Sequence, residues 1–250
     1  MTMNEPGAGV SSMRAVPALP LFDGLDATTM ARVVAAFAWR TYERGDRIGW
    51  AERADARTVV MVSGAGRLVR LGPDRRLIGT GLLEAGAVFG RLPFASDAPT
   101  ERAEALSAVR VLGAPTAEVE RIALTSPRLV ANLLGHANDR LAQSGDRLAS
   151  LAFQSVPARL AESLLELAER FGRMTSRGVR IDLRITHGQL AETISTTRET
   201  LTKAAGWLRS EEIAVLGRQE IWILDQEALA DVASGVRVMP GRGNGSLRVA

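Results

Sequence analysis

Arg198, Glu199, Thr202 and Lys203 are long or polar side chains that a helix would turn to one side of itself. The other side of the same stretch carries Leu201, Ala204, Ala205 and Leu208, an apolar stripe at helical spacing. The polar set suits reading of base edges. Arginine can donate two hydrogen bonds to guanine O6 and N7, glutamate can accept from cytosine N4, and lysine can donate to guanine from a single point. A helix lying in the DNA major groove needs this division: one stripe packed on a partner helix, the other reaching bases. Thr196-Thr197-Arg198-Glu199 reads as a capping box that would start this helix at Thr196.

Other elements must hold that helix in place. Thr186-His187-Gly188-Gln189 is a second capping box, followed by Leu190, Ala191 and Ile194 on one side, and Ser195 and Thr196 interrupt the pattern. Two short helices joined by a tight turn result. Before them, Gly178 to Ile185 has strand texture; after them, Ile213 to Asp225 alternates around Gly217-Arg218-Gln219 as a hairpin, which in this position is a wing. Upstream, VPARLAESLLELAERFG is an amphipathic helix with Pro157 tolerable in its first turn.

From about Pro127 to Leu151 a long helix is expected. Val130, Leu134, Ala137, Leu141, Ser144, Leu148 and Leu151 alternate spacings of four and three, a heptad seam narrow enough to suit a partner helix. Packing of that seam on the chain's own β domain is the alternative. From about Arg40 to Thr116 the texture is short alternating runs broken at Gly45-Asp46, Gly64, Gly72-Pro73-Asp74, Glu84-Ala85-Gly86 and Asp97-Ala98-Pro99, which suggests an all-β sandwich or roll. Leu21 to Ala38 reads as a short helical piece capped by Asp26 or Thr28.

Bulk composition bounds these readings. At 250 residues, 46% apolar and 24% charged, the chain can hold two ordinary globular cores. A net charge of +3 is too small to mark a nucleic-acid binder, so any basic patch must come from local clustering. Lys203 is the only lysine. The absence of cysteine excludes disulfides and thiolate-held metal or iron–sulfur centres within the chain, and fits a cytoplasmic protein. No apolar run reaches the roughly 20 residues that span a bilayer, and the N-terminus does not look like a signal peptide. No spaced His/Asp/Glu cluster suggests a metal, and no paired nucleophile and base suggests catalysis.

In order and spacing the parts resemble the CRP/FNR family of bacterial transcription regulators. The resemblance rests on YERGDRI, VSGAGRLVR with GPDRR, LLEAGAVFG, DRLASLAFQSVPARLAESLLELAER and, most specifically, TTRETLTKAAGWLRSEEI. It implies an α+β chain with an N-terminal β-roll (a cyclic-nucleotide-binding-like jelly roll), a long dimerisation helix and a C-terminal winged helix-turn-helix. Residues 1–19 are then a disordered arm, 20–126 the β-roll, 127–152 the dimerisation helix, 153–235 the DNA-binding domain and 236–250 a disordered tail. The implied activity is non-enzymatic: a homodimer reading double-stranded DNA as an inverted repeat, its half-sites about one turn, roughly 34 Å, apart. Arg198, Glu199 and Lys203 match the family's base-reading positions and imply G·C pairs in each half-site. Thr186, His187, Thr196, Thr197, Thr200, Thr202 and Arg218 are candidates for phosphate or accessory contacts. Bound near a promoter, such a protein recruits or blocks RNA polymerase, a further candidate partner.

The resemblance also places a phosphate cassette at Phe89 to Ala105, with Gly90 and Arg102 matching members that bind cyclic AMP. Arg91 and Ala103 stand where those members have Glu and Ser, while Ser144 and Gly145 take the long helix's Thr and Ser positions. Guanidinium has no acceptor for a ribose hydroxyl, so cyclic AMP in the usual pose is not expected. Two readings stay open: a cradle for another anionic, nucleotide-type effector such as a cyclic dinucleotide, or a vestigial pocket in a constitutive DNA binder without cofactor. A cyclic-nucleotide-binding-like module that does not read DNA is the third possibility.

Overall fold

The computed structural model describes residues 18–48, 57–72, 76–95, 101–217 and 220–240. The chain divides into two compact units, Met1–Ser144 and Gly145–Ala250.

In the first unit two four-stranded antiparallel sheets face each other. One has the order β1 (Ala38–Tyr42), β8 (Val109–Pro115), β3 (Arg57–Ser63), β6 (Val88–Gly90). The other has the order β2 (Arg47–Ile48), β7 (Glu101–Ala105), β4 (Gly66–Leu71), β5 (Leu77–Leu83). Val59 and Met61 of β3 pack with Leu68, Leu83, Phe89, Ala103 and Val111 between the sheets. Val60, on the other face of the same strand, packs with Leu21, Phe22, Val33, Leu112, Ile122 and Leu129, most of them from helices. That double burial explains why β3 reads as a continuous apolar run, TVVMV, instead of alternating. Gly64 makes the β3–β4 turn at φ +91, and a Cβ there would meet the Ala108 carbonyl at 2.3 Å. Arg67, 4% exposed, lies inside the roll because Glu104 of the neighbouring strand receives its Nε and Nη2 at 3.0 and 2.7 Å.

The helices refine the sequence expectations. Asp26 caps α1 (Ala27–Ala36), accepting from the Thr29 backbone, so Thr28 is not the cap. β1 begins already at Ala38. Thr116–Ala123 forms a helix, α2, that the sequence reading passed over. Leu19, assigned above to a disordered arm, is 6% exposed and belongs to the helix-side core; the remainder of that arm up to residue 17 lies outside the described residues.

The long helix α3 is Pro127–Phe153 and contains one fully buried residue, Leu129. In the second unit Ser155 caps α4 (Val156–Phe171), with proline in its first turn as expected. A four-stranded antiparallel sheet follows in the order β11 (Ala214–Leu216), β12 (Ile221–Ile223), β10 (Gly178–Ile181), β9 (Gly172–Thr175). The strand expected over 178–185 thus stops at Ile181, and β9 was not foreseen. α5 (His187–Thr193), α6 (Arg198–Ser210) and α7 (Gln226–Ala233) complete the unit. Past α7 the expected disordered tail is tied down at its start: the Arg237 backbone N–H donates to Asp231 and its guanidinium pairs with Glu211.

Candidate nucleic-acid interface

α5 starts with the capping box read from the sequence. Thr186 Oγ1 accepts from the Gln189 N–H at 3.2 Å, and Gln189 Oε1 accepts from the Thr186 N–H at 2.9 Å. Leu190 and Ala191 are buried, as is Ile194 at the helix end. The turn runs through Ser195 at φ +52, a left-handed conformation unusual for a residue with a Cβ. The next cap differs from expectation by one residue. Thr197, not Thr196, is the N-cap of α6 and accepts from the Thr200 N–H at 3.2 Å, so no box forms with Glu199. Ser195 and Thr196 are both consumed by the turn, in which the Thr196 N–H donates to the Ala191 carbonyl.

α6 divides as the pattern foretold. Leu201, Ala204, Ala205 and Leu208 are buried, joined by Trp207, which the stripe reading omitted. Arg198, Glu199, Thr200, Thr202 and Lys203 are exposed. Arg198 and Lys203 lie five residues apart, about 7.5 Å along the axis, close to two base-pair steps of roughly 3.4 Å. Glu199 precedes Lys203 by four residues, the favourable order for mutual support.

The expected phosphate contacts fare unevenly. Thr202 Oγ1 donates to the Arg198 carbonyl at 2.7 Å, Thr200 and Thr197 hydroxyls meet at 3.0 Å, and Thr186 Oγ1 bonds Gln189 Oε1 at 3.1 Å. Thr186, Thr197 and Thr200 are thus engaged at helix starts, while Thr202 back-bonds inside α6 to the carbonyl four residues before it. His187 Nε2 donates to the Leu216 carbonyl at 3.3 Å, tying the start of α5 to the wing strand β11. Arg218 falls outside the described residues.

One supporting residue escaped the sequence reading. Arg159 of α4 donates through Nε to the Ile194 carbonyl at 3.1 Å and through Nη1 to the Gln154 carbonyl at 2.9 Å. It thereby clamps the end of α5, where helix carbonyls lack partners. Burial pushes its pKa below the ordinary arginine value, yet it keeps its charge at neutrality. Only its place in an amphipathic helix was visible in the sequence, and that looks like a solvated face.

The cassette residues separate in the first unit. Gly90 has φ +80, and a Cβ there would meet the Arg57 carbonyl at 2.4 Å, so glycine is obligatory. The Arg91 guanidinium turns back on its own loop, donating to the Ala95 carbonyl at 3.3 Å. Arg102 is half-buried on β7, opposite Val69. Ala103 is 5% exposed and packs in the core between the sheets, a wall of the roll with no polar atom to offer. The Ser144 hydroxyl donates to the Arg140 carbonyl at 2.8 Å, and Gly145 is exposed in the second unit. A pair the sequence did not suggest dominates instead: Arg140 of α3 meets Glu101 of β7 at 2.6 Å. Burial alone would raise the Glu101 pKa, but the adjacent Thr80 hydroxyl, Arg140 and Arg70 outweigh it and hold the carboxyl below its usual range.

Along the seam of α3, Leu134, Leu141, Leu148 and Leu151 are 59%, 73%, 68% and 40% exposed. Ala137 and Ser144 are exposed as well. Val130 departs from the seam and packs against the helix-side core of its own unit. Among the described residues no group of acidic, His or Cys side chains could hold a metal, and no helix is long and apolar enough to cross a membrane.

Comparison with known proteins agrees with this geometry. Residues 158–232 match the family model for a Crp-like helix-turn-helix domain. The chain is 30% identical to the global nitrogen regulator of Nostoc sp. (strain PCC 7120), an alignment covering 73% of this chain and 83% of that one. It is 27% identical to the CRP-like cAMP-activated global transcriptional regulator of Mycobacterium tuberculosis, over 84% of this chain and 94% of that one. Among solved structures, a CRP/FNR-family transcriptional regulator from Thermus thermophilus superposes with a TM-score of 0.66 at 26% identity, covering 79% of this chain and 98% of that one.

Proposed function

We propose, for a chain that belongs to the CRP/FNR family of helix-turn-helix transcription regulators, that it works as a homodimer reading an inverted repeat with G·C pairs in each half-site. Two copies of α6 enter successive major grooves roughly 34 Å apart. The observation that carries this reading is α6 itself. Its buried stripe fixes the helix, while Arg198, Glu199 and Lys203 stand exposed in one outward row. Arg198 reads guanine with two donors, Glu199 accepts from cytosine, and Lys203 contributes a single softer contact.

The seam of α3 supports the dimer. α3 is anchored to its own unit through Leu129, Val130, His136 and Arg140, but past Arg140 it has no buried side chain to hold it as a lone helix in water. Fully burying a leucine contributes about 1.5–3 kcal/mol; scaled by their exposure and doubled by symmetry, the four seam leucines contribute about 7–14 kcal/mol, of the same order as an association cost of about 4–15 kcal/mol. RNA polymerase is the expected downstream partner.

Whether an effector governs the protein is a separate matter, although the Mycobacterium relative is described as cAMP-activated. In this chain the Arg91 guanidinium is engaged with its own loop and Ala103 brings no hydroxyl, so cyclic AMP in the usual pose is disfavoured. A nucleotide-type effector of higher negative charge remains compatible with Arg102 and is the reading for a ligand-gated form.

The test is selection of binding sites from random duplex DNA by purified full-length protein and by Arg198→Ala. The wild type should enrich an inverted repeat. The variant should lose about 1–3 kcal/mol and relax its preference at one G·C pair. Unchanged affinity and preference in the variant would refute the placement of α6.

A further inference from the structure

The outward face of the β11–β12–β10–β9 sheet carries side chains that the half-site reading leaves unused. Val215 lies opposite Trp222, Trp222 opposite Arg180, and Arg180 opposite Arg173, so four side chains form one row across four strands. Directly opposed residues of antiparallel strands share a face. The alternate positions Ala214, Ile221, Ile223, Val179 and Ile181 point the other way and are buried. Two arginines stack on the tryptophan: the Arg177 guanidinium carbon lies 5.4 Å and that of Arg180 6.0 Å from the Trp222 ring centroid.

At these distances the ring attracts each guanidinium by cation–π interaction and takes up none of its N–H donors. Among the described residues neither Arg177 nor Arg180 has a carboxylate partner. Arg173 pairs with Asp182 at 3.0 Å through Nε, and Glu220 is occupied by the Trp222 indole N–H at 3.4 Å. Charge is partitioned across the sheet. On its α4 side, Glu162, Glu166 and Glu169 line a groove with Met174 and Gln226. Arg173, Arg177 and Arg180 set against Asp182 and Glu220 leave one net positive charge on the outward face, while Arg170 offsets Glu166 on the α4 side and leaves two carboxylates there, so an anion is favoured outward.

The geometry points to this arginine–tryptophan strip as a second DNA contact, gripping backbone phosphates that flank the half-site read by α6. It rests on the half-site reading above and extends it. DNA is the occupant because the strip continues from the wing: β11 and β12 begin the row, and His187 ties β11 to the start of α5. Across strands about 4.8 Å apart, the row from Trp222 to Arg173 spans about 10 Å, roughly three base-pair steps. Guanidinium forks whose N–H donors the ring leaves unused match phosphate oxygens pair for pair. Such contacts add affinity and length of footprint without reading sequence.

Two duplexes carrying the selected inverted repeat test the idea. The short one ends at the repeat; the long one adds about one helical turn, roughly 10 base pairs, on each side. Wild type should bind the long duplex more tightly, and Arg177→Gln/Arg180→Gln should erase that difference while binding the short duplex normally. Each lost phosphate contact lowers the slope of log affinity against log salt by about 0.9; two per protomer make four per dimer on a duplex flanked on both sides, so the slope falls by about 3.6 and the gap on the long duplex narrows on the order of a hundredfold between roughly 50 and 200 mM salt. Arg177→Lys/Arg180→Lys keeps both charges and should keep most of the slope, which guards against misfolding of the Gln variant. Equal loss on both duplexes, or no loss on either, overturns the strip. A Gln variant that binds both duplexes normally yet fails in transcription would assign the strip to an acidic protein surface instead. A wild type that selects no repeat at all would strike the half-site reading first, and the strip with it.

Discussion

Arg159 offers a test of how the DNA-reading helix is held, separate from how it reads. Its guanidinium reaches the Ile194 carbonyl at 3.1 Å and the Gln154 carbonyl at 2.9 Å, fixing the turn that leads into α6. Arg159→Met keeps the aliphatic stem and removes both donors. A hydrogen bond from a charged donor contributes about 1.5–3 kcal/mol when well buried. Arg159 is half-buried, so water recovers part of that, and the two bonds together are worth about 2 kcal/mol. For a unit of this size that lowers Tm by about 10 °C. Ordering the loosened turn on DNA then costs about 1 kcal/mol more, near fivefold in Kd. Differential scanning calorimetry and a titration of the selected duplex at 25 °C read both effects. Arg198→Ala is the contrast: its side chain is exposed, so Tm should hold while DNA affinity falls. If Arg159→Met melts within about 1 °C of the wild type, water replaces both bonds and the clamp plays no part in holding the turn.

Three further outcomes follow from the geometry. Ser195 sits at φ +52, so Ser195→Gly relieves a left-handed strain of about 1–2 kcal/mol against a glycine entropy cost of about 0.5–1 kcal/mol; thermal melting should rise by a few degrees, and a fall would contradict the turn as described. Leu141 is 73% exposed on the seam, and Leu141→Asp should give a monomer by light scattering with weakened operator binding, whereas a stable dimer would remove the seam from the interface. His136 donates to the Val88 carbonyl at 2.9 Å; burial foremost, with Arg140 adding to it, pushes its pKa below the ordinary value despite that carbonyl and Asp139. The unfolded chain therefore takes up the proton first. Stability is complete above about pH 6.5 and falls as pH drops from there toward the folded-state pKa. Melting at pH 5.5–7.5 (roughly one unit either side) should show this loss in the wild type and a flatter profile in His136→Gln, while equal slopes would exclude His136 as its source. Glu101 titrates lower, below its ordinary range, so its loss falls in a more acid window.

Much of the second unit was legible because its signals are local. A Thr with Gln three residues on forms its capping box wherever the helix starts, and the apolar stripe of α6 is set by helical period alone. The one-residue slip at the second cap shows the limit. Thr196 and Thr197 are equal candidates by type, and the turn geometry at Ser195 chose between them. α2 was missed because TAEVERIA is too short for a clear period, and β9 because GRMT carries no alternation.

What the sequence determined by itself was order and face: which segments turn, which side of each is apolar, and which polar residues ride on α6. Only the tertiary structure decided partnership. It gave Arg140 to Glu101, sent Ala103 into the core, drew Val130 out of the seam, stacked Arg177 and Arg180 on Trp222, and spent Arg159 on the end of α5. The reason is physical. A helix or strand period is written between neighbours in the chain, whereas an ion pair, a stacked ring or a clamped carbonyl joins residues 35 or more positions apart in most of these cases, and no local pattern records which of several arginines will meet which partner.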